Sequence, residues 1–347
     1  MSTTTDDTTT PSEESGETTS ETTSETRTVL AIVLGLTTLP AVMLTAFAWT
    51  TSEIEPREVP IVVAGPEQAT GPMAEQLSAS GEEAFEVTTV ADRAAAVEAI
   101  EEREAYAGLV VGAEPELLTA PAASPAVASL MTEALAADGA GTTVTEVVPL
   151  PEGDPNGQIF SSVALPLLLG GIATGVLASI AVRGRWAKVA TISGVAVAGG
   201  LVLTAILQPW LGALEGSYLV NASVIALAIA ATSTVMAGLH SLIGYAGIGL
   251  TALAVLLVGN PFSGLATGPK LLPSGWSTLG QLLPPGAAGQ ALRSTAFFDG
   301  AGAAMPLTVL VGWIVVGLSL LGLSAAAAPG GLRLSRRARS VGRDSNP

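Results

Sequence analysis

Few side chains in this sequence are equipped for chemistry. It holds no cysteine and a single histidine, His240, which removes disulfides, thiolate metal sites, thiol nucleophiles and any His-rich metal set together. Its only lysines are Lys188 and Lys270, and no G-x-x-x-x-G-K-S/T phosphate loop, G-x-S-x-G elbow or H-E-x-x-H pair occurs. Ser263 or Ser274 beside Lys270 is a formal nucleophile–base pair, but that lysine lies in a Gly/Pro loop where its stem is expected to snorkel. Glu101, Glu102 and Glu104 lack calcium-loop spacing and read as a solvated helix end. Arg293 and Asp299 could pair, yet surface pairs contribute only about 0–1 kcal/mol, so structural anchoring is the expected role of both. The expectation is a chain with no catalytic residue, no cofactor and no metal site. Any ATP hydrolysis would belong to a partner subunit.

The elements that position these residues read as membrane helices. Of 347 residues, 49% are hydrophobic and 13% charged, with a mean hydropathy of +0.55, which disfavours a soluble domain of this size. A span needs roughly 20 apolar residues, and six segments qualify: 28–50, 160–182, 187–208, 218–239, 241–259 and 306–328. Arg183, Arg185, Trp186 and Lys188 mark the short loop between the second and third, and Arg333, Arg336, Arg337, Arg339 and Arg343 follow the last. Lys and Arg near span ends mark the cytoplasmic side, and an even span count puts both clusters there. With Arg27, this implies a multi-pass plasma-membrane protein with both termini cytoplasmic. Trp49, Trp210 and Trp276 then fall at the outer interface and Trp186 at the inner one. His240 falls in the tight turn between the fourth and fifth spans, as a cap or interface residue. The first span is expected to persist as an uncleaved anchor, although Ala46-Phe47-Ala48 resembles a small-residue cleavage site. Glycines such as Gly171, Gly175, Gly200 and Gly247 suit close helix contacts. No acid or base lies within a span, Lys188 at the head of the third and His240 at its turn aside, which argues against an ion-coupled carrier.

The net charge of −16 is unevenly placed. Residues 1–27 carry seven acids against Arg27, and 51–158 carry twenty against Arg57, Arg93 and Arg103. The remainder has three acids against ten bases, so nucleic-acid binding is disfavoured. The first stretch, rich in Thr, Ser and Glu, reads as a disordered acidic cytoplasmic tail. The second alternates strand-like runs (59–64, 85–90, 108–112 and 144–148) with helix-like ones (72–80, 91–104 and 125–137), implying a small extracytoplasmic α/β domain with a parallel or mixed sheet.

Segment 259–305 suits neither water nor lipid. Pro261, Pro269, Pro273, Pro284 and Pro285 rule out one continuous helix, while Phe262, Leu265, Leu271, Leu272, Trp276, Phe297 and Phe298 make it too apolar for a solvated loop. Irregular backbone at membrane depth must be sheltered by protein or a water-filled cavity. Short interfacial or re-entrant helices packed on the bundle are therefore expected, with the prolines ending helices rather than binding anything.

This segment also carries a resemblance. Gly259-Asn260-Pro261-Phe262-Ser263-Gly264, Leu272-Pro273-Ser274-Gly275-Trp276, Leu282-Leu283-Pro284-Pro285-Gly286-Ala287 and Arg293-Ser294-Thr295-Ala296-Phe297-Phe298-Asp299-Gly300 resemble the ABC type-2 exporter permease superfamily, in particular actinobacterial proteins like the phage-infection-protein membrane proteins. Ala99-Ile100, Arg103 and Tyr106-Ala107-Gly108, with Asp154-Pro155 and Gly157, support it. The resemblance implies a permease that pairs with a second copy, as homo- or heterodimer, and with a separate ATP-binding cassette subunit. An outer gate would comprise Asn260, Pro261, Phe262, Pro273, Trp276, Pro284, Pro285, Arg293, Phe297, Phe298 and Asp299. Arg183, Arg185, Trp186 and Lys188 would contact the ATPase. The family's exporters often begin with an amphipathic interface helix and have a longer coupling loop, and this chain departs from both.

The expected fold is an α-helical polytopic membrane protein with about six transmembrane helices and a small extracytoplasmic α/β domain between the first two. Its regions would be 1–27 (tail), 28–50 (first span), 51–158 (α/β domain), 159–328 (five-helix membrane domain with outer segment 260–305) and 329–347 (basic cytoplasmic tail). The expected function is export of a lipid-like, peptide or drug-like substrate. The alternative is a non-transporting envelope protein whose α/β domain binds a partner or wall component.

Overall fold

A computed structural model describes residues 17–79, 84–137 and 142–327. Helix α1 (Glu17–Ser52) is followed by β1 (Val59–Ala64), α2 (Glu67–Ala79), β2 (Phe85–Val90), α3 (Arg93–Glu101), β3 (Ala107–Val110), β4 (Glu116–Thr119), α4 (Pro125–Ala137) and β5 (Thr143–Glu146). Only helices follow: α5 (Gln158–Ser162), α6 (Ala164–Ile180), α7 (Arg185–Ala205), α8 (Tyr218–Ile243), α9 (Tyr245–Leu253), α10 (Trp276–Gln281), α11 (Pro284–Phe297) and α12 (Ala304–Ala327). One compact unit ends at Ala48 and a second begins at Trp49. Within the first, α1 starts at Glu17, so residues 17–27 are helical where a disordered tail is expected from composition. Residues 1–16 and the basic tail 329–347 lie outside the described residues.

Among the described residues, five helices are long and apolar enough to cross a membrane: Glu25–Ser52, Gln158–Ile180, Arg185–Trp210, Tyr218–Ile243 and Ala304–Ser324. This is a helical architecture consistent with a membrane protein. The fifth expected span is shorter, a 15-residue apolar stretch at Tyr245–Gly259, or about 22 Å of helix against about 30 Å of hydrocarbon. Two backbone features shorten it. Helix α8 runs on through His240 to Ile243, and Gly244 reverses the chain at φ 66° and ψ −146°, a region reserved essentially for glycine. At the other end the helix widens into π geometry over Ala254–Gly259, just before Pro261. His240 therefore occupies the last turn of α8 rather than the turn itself, edge-on to Tyr245 with ring centroids 5.6 Å apart.

Helix α8 is the axis of the bundle, packed by α6, α7, α9, α11 and α12, and its face from Ala231 to Gly238 is continuously buried. Small residues permit this. A Cβ on Gly238 would lie 2.7 Å from the Gly317 carbonyl, and one on Gly317 would lie 2.4 Å from the Thr234 carbonyl carbon, so α8 and α12 cross at backbone contact. Ser233 donates across to the Gly171 carbonyl at 2.9 Å.

The sheet has the order β2-β1-β3-β4-β5, with β3–β4 antiparallel and the other neighbours parallel. Strand β4 is absent from the sequence-based expectation, because its four residues, ELLT, lie between Pro115 and Pro121 and are too few to show a period. Helix α2 begins one turn earlier than expected, with Pro72 inside it rather than opening it. Side chains alternate along the strands. Val59, Ile61 and Leu117 enter one core with Val127 and Met131 of α4. Val62, Ala64 and Leu118 enter another with Ala96, Ala99 and Ile100 of α3. Both faces are thus covered, which suits the near-continuous apolar reading of VPIVVA.

Candidate functional site

Segment 259–305 is the joint between sheet and bundle. Each face of the sheet receives one of its side chains: Leu271 is buried among Val59, Ile61, Ala107 and Leu117, and Phe298 is buried with Val62, Ala99 and Ile100. Hydrogen bonds to backbone carbonyls reinforce the seam, with the Arg57 N–H donating to Lys270 at 3.0 Å and the Ser124 hydroxyl donating to Thr267 at 2.5 Å. On the bundle side, α11 is buried from Pro284 to Ala296. Trp313 of α12 donates Nε1 to the Leu282 carbonyl at 2.8 Å and fixes the α10–α11 corner.

Arg103 bridges this joint from the sheet side. It follows α3 at φ 62°, and the Glu104 N–H closes back to the Ala99 carbonyl at 2.8 Å. This six-to-one bond ends a helix in the way glycine usually does. A left-handed L-residue costs roughly 1–2 kcal/mol. The strain places the guanidinium over the Phe298 ring, 5.2 Å from its centroid. From there Nη2 donates to Gln290 Oε1 at 2.8 Å, and Nη1 donates to the Gln290 carbonyl at 3.3 Å and to Ser294 Oγ.

Arg293 lies one turn along α11 and is 2% exposed. Its Nη2 donates to the Leu265 carbonyl at 2.8 Å, and the guanidinium sits 5.0 Å from the centroid of the Phe160 ring. Burial, with the like charge of Arg103 added, lowers its pKa to about 10, so it remains a cation at neutral pH. Burial also lowers the Arg103 pKa and raises that of the neighbouring Tyr106, against the pull of both arginines. Neither guanidinium has a carboxylate within 4.0 Å among the described residues. Beside Arg103 lies a cavity of about 270 Å³, lined by Arg103, Gln281, Gln290, Gly302, Met305 and Pro306, with Pro269; Arg293 does not line it.

The residues assigned to an outer gate fall into distinct clusters. Phe262 stacks on Trp276 at 4.8 Å, and Trp49 meets both edge-on at 6.1 and 5.9 Å; Pro273 is buried close by in the chain. Asn260 closes the π segment through its N–H to the Val255 carbonyl at 2.9 Å, just ahead of Pro261. Pro284 and Pro285 open α11 rather than ending a helix, because an N-terminal turn loses nothing by a missing N–H. Phe297 packs on Phe160 at 5.5 Å. Asp299, exposed and left-handed at φ 49°, forms no pair with Arg293 among the described residues. Ser263 donates instead to the Asn260 carbonyl at 2.8 Å. At the α6–α7 corner, Arg183, Arg185 and Trp186 are exposed, Arg185 lies 5.3 Å from the Trp186 ring centroid, and Lys188 Nζ donates to the Ser179 carbonyl at 3.3 Å.

Two polar residues central to the joint carry no signal in the sequence. Gln290 and Asn221 are ordinary helix residues there, and Asn221 is fully buried, donating to the Glu215 carbonyl at 2.7 Å and accepting from Thr295 Oγ1 at 2.8 Å. Asp154, also buried, accepts from the Phe160 N–H at 2.8 Å at the head of α5. Arg103, Tyr106 and Asp154 stand out in sequence only as part of the resemblance. Comparison with protein-family models, characterised proteins and solved structures found no match for this chain.

Proposed function

We propose that this chain is the membrane-spanning permease subunit of an ABC-type exporter, multi-pass in the plasma membrane with both termini cytoplasmic. The short apolar helix 245–259 completes six crossings in this reading, and 260–299 forms an outer gate above the bundle. The observation that carries it is α11, a helix too short to span yet buried along its length and seated on α8 and α12. Beneath it, between α8, α9 and α12, lies a groove of about 190 Å³ lined by Val235, Leu239, Leu250, Val255, Leu283 and Trp313 among others. That lining favours the lipid-like member of the expected substrates over a charged one. The exposed Arg183, Arg185 and Trp186 are the contact for a separate ATPase, since no phosphate loop occurs in the chain.

The test is affinity purification of the tagged chain, followed by efflux from inverted vesicles. An ATP-binding cassette subunit should co-purify, and Thr251→Phe, which fills the groove, should abolish ATP-dependent lipid efflux at unchanged yield. Neither co-purification nor ATP-dependent movement would overturn the reading. One observation favours the alternative, a partner-binding envelope protein: an open groove of about 440 Å³ on the α/β region, lined by residues including Ser129, Thr132, Glu133, Val144, Glu146 and Asn156.

A further inference from the structure

The joint gathers two guanidinium groups with no carboxylate within 4.0 Å among the described residues. Arg293 is 2% exposed with Nε and Nη1 unpartnered, and Gln290, 9% exposed, leaves Nε2 unpartnered, among the described residues. Arg103 adds a second guanidinium, and no acid lines the adjoining cavity of about 270 Å³. The amino end of α12 reaches the same place, since Met305 and Pro306 line that cavity. The first N–H groups of a helix have no intrahelical acceptor and carry the positive end of its dipole.

Interiors hold a charge when it is paired or fully hydrogen-bonded. Here the set is two planar guanidinium groups, an unpartnered Gln290 N–H and a helix amino end, beside one unpartnered acceptor, Gln281 Oε1. Such forks match oxyanions geometrically, and helix amino ends collect them. A cation or an apolar molecule would bring no acceptor to the donors that lack one, Gln290 Nε2 and Arg293 Nε and Nη1.

We propose that this joint is a binding site for a phosphate-type oxyanion, held by Arg103, the Gln290 carboxamide and the amino end of α12, with Arg293 supplying charge from behind. The shared chemistry is a phosphate group, either free or borne by a lipid. Met305, 63% exposed at the rim, gives a lipid-borne phosphate an apolar neighbour that free phosphate does not use. The site stands whether or not anything is transported.

The experiment uses the full chain in neutral detergent, titrated with inorganic phosphate against sodium chloride at matched ionic strength, and separately with short-chain phosphatidylglycerol. Wild-type Tm should rise with the logarithm of added ligand. A midpoint for phosphatidylglycerol at least tenfold below that for phosphate identifies a lipid headgroup, and comparable midpoints identify the free anion. Gln290→Glu places a carboxylate among the donors, so it should raise Tm without ligand and weaken the ligand response at least tenfold. Arg103→Gln should weaken the response similarly without that gain. The proposal is overturned if neither ligand moves wild-type Tm beyond the salt control, or if both variants respond with the wild-type midpoint.

Discussion

Replacement of Arg103 by alanine and by glycine separates what its side chain contributes from what its backbone costs. The side chain makes two close charge-assisted contacts, to Gln290 Oε1 at 2.8 Å and to Ser294, and a longer one of 3.3 Å to the Gln290 carbonyl. Counting the two close ones at about 1.5 kcal/mol each and neglecting the long one gives a loss of about 3 kcal/mol for Arg103→Ala. The stacking on Phe298 and the relieved repulsion from Arg293 act in opposite directions and are taken to offset one another. Arg103→Gly loses the same contacts but no longer strains a Cβ at φ 62°, recovering roughly 1–2 kcal/mol. Glycine's looser unfolded chain takes back roughly 0.4–1 kcal/mol of that. The glycine variant should therefore lie about 2 kcal/mol below wild type and about 1 kcal/mol above alanine. Helix propensity alone puts glycine about 1 kcal/mol below alanine, so the order of the two variants is decisive. Reversible unfolding of the purified protein in mixed detergent micelles, followed by circular dichroism, provides the free energies. Alanine at or above glycine would refute the left-handed helix end, and an alanine variant within about 0.5 kcal/mol of wild type would refute the bridge to α11.

Other changes test separate parts of the fold. Gly238→Val drives a side chain into the α12 backbone at Gly317 and should cost about 3 kcal/mol, whereas Gly249→Ala, with nothing within 4 Å, should be neutral or stabilising in the same unfolding assay. Asn221→Leu strips partners from the buried Thr295 hydroxyl and the Glu215 carbonyl and should lower stability by about 2–4 kcal/mol. Glu116 is held below the usual glutamate range by hydrogen bonds from Arg93 and Thr145, so its contribution is present above that range and lost as pH falls through the folded value. Arg93→Gln should accordingly be less stable than wild type at pH 7, with the two acid-unfolding curves converging once pH falls below the folded value of Glu116; parallel curves would contradict the pairing. If the α6–α7 corner meets an ATPase, Arg183→Glu with Arg185→Glu should abolish co-purification while leaving Tm unchanged.

Much of the architecture is legible because it rests on local composition. Lipid-compatible helices need only length and apolarity, and five of the six expected spans coincide with long helices to within a few residues at most ends. The fifth span fails where composition is a poor guide. Residues 241–259 are uniformly apolar, but the chain reverses at Gly244 and widens into π geometry before Asn260, and neither event changes hydropathy. Strand β4 fails for the opposite reason, since four residues carry too little pattern. The joint is the least legible part. Arg103 and Gln290 are 187 residues apart, and nothing local marks Arg103 as the left-handed end of α3 rather than one more turn of a helix through Glu104. Arg293 and Asp299 look like a pair in sequence because they are close along the chain. In the fold Arg293 points into the α11 interface and Asp299 lies in the exposed turn beyond it.

The irregular segment is neither solvated loop nor spanning helix because neither could satisfy both of its neighbours. It must deliver Leu271 to one face of the sheet and Phe298 to the other, while laying α11 against α8 and α12. A single helix presents one apolar stripe and cannot reach both faces of a five-stranded sheet from the bundle side, so the chain breaks at glycine and proline and re-enters. This has a mechanical consequence. Any displacement of α11 must either carry the sheet with it or withdraw Phe298 and the Arg103 contacts from their seats. If 260–299 is a gate, the α/β region is part of the moving body. A cross-link holding Ser124 to Thr267 would then stop transport as effectively as one placed within the groove beneath α11, and transport that survived it would confine the motion to α10 and the aromatic cluster of Trp49, Phe262 and Trp276.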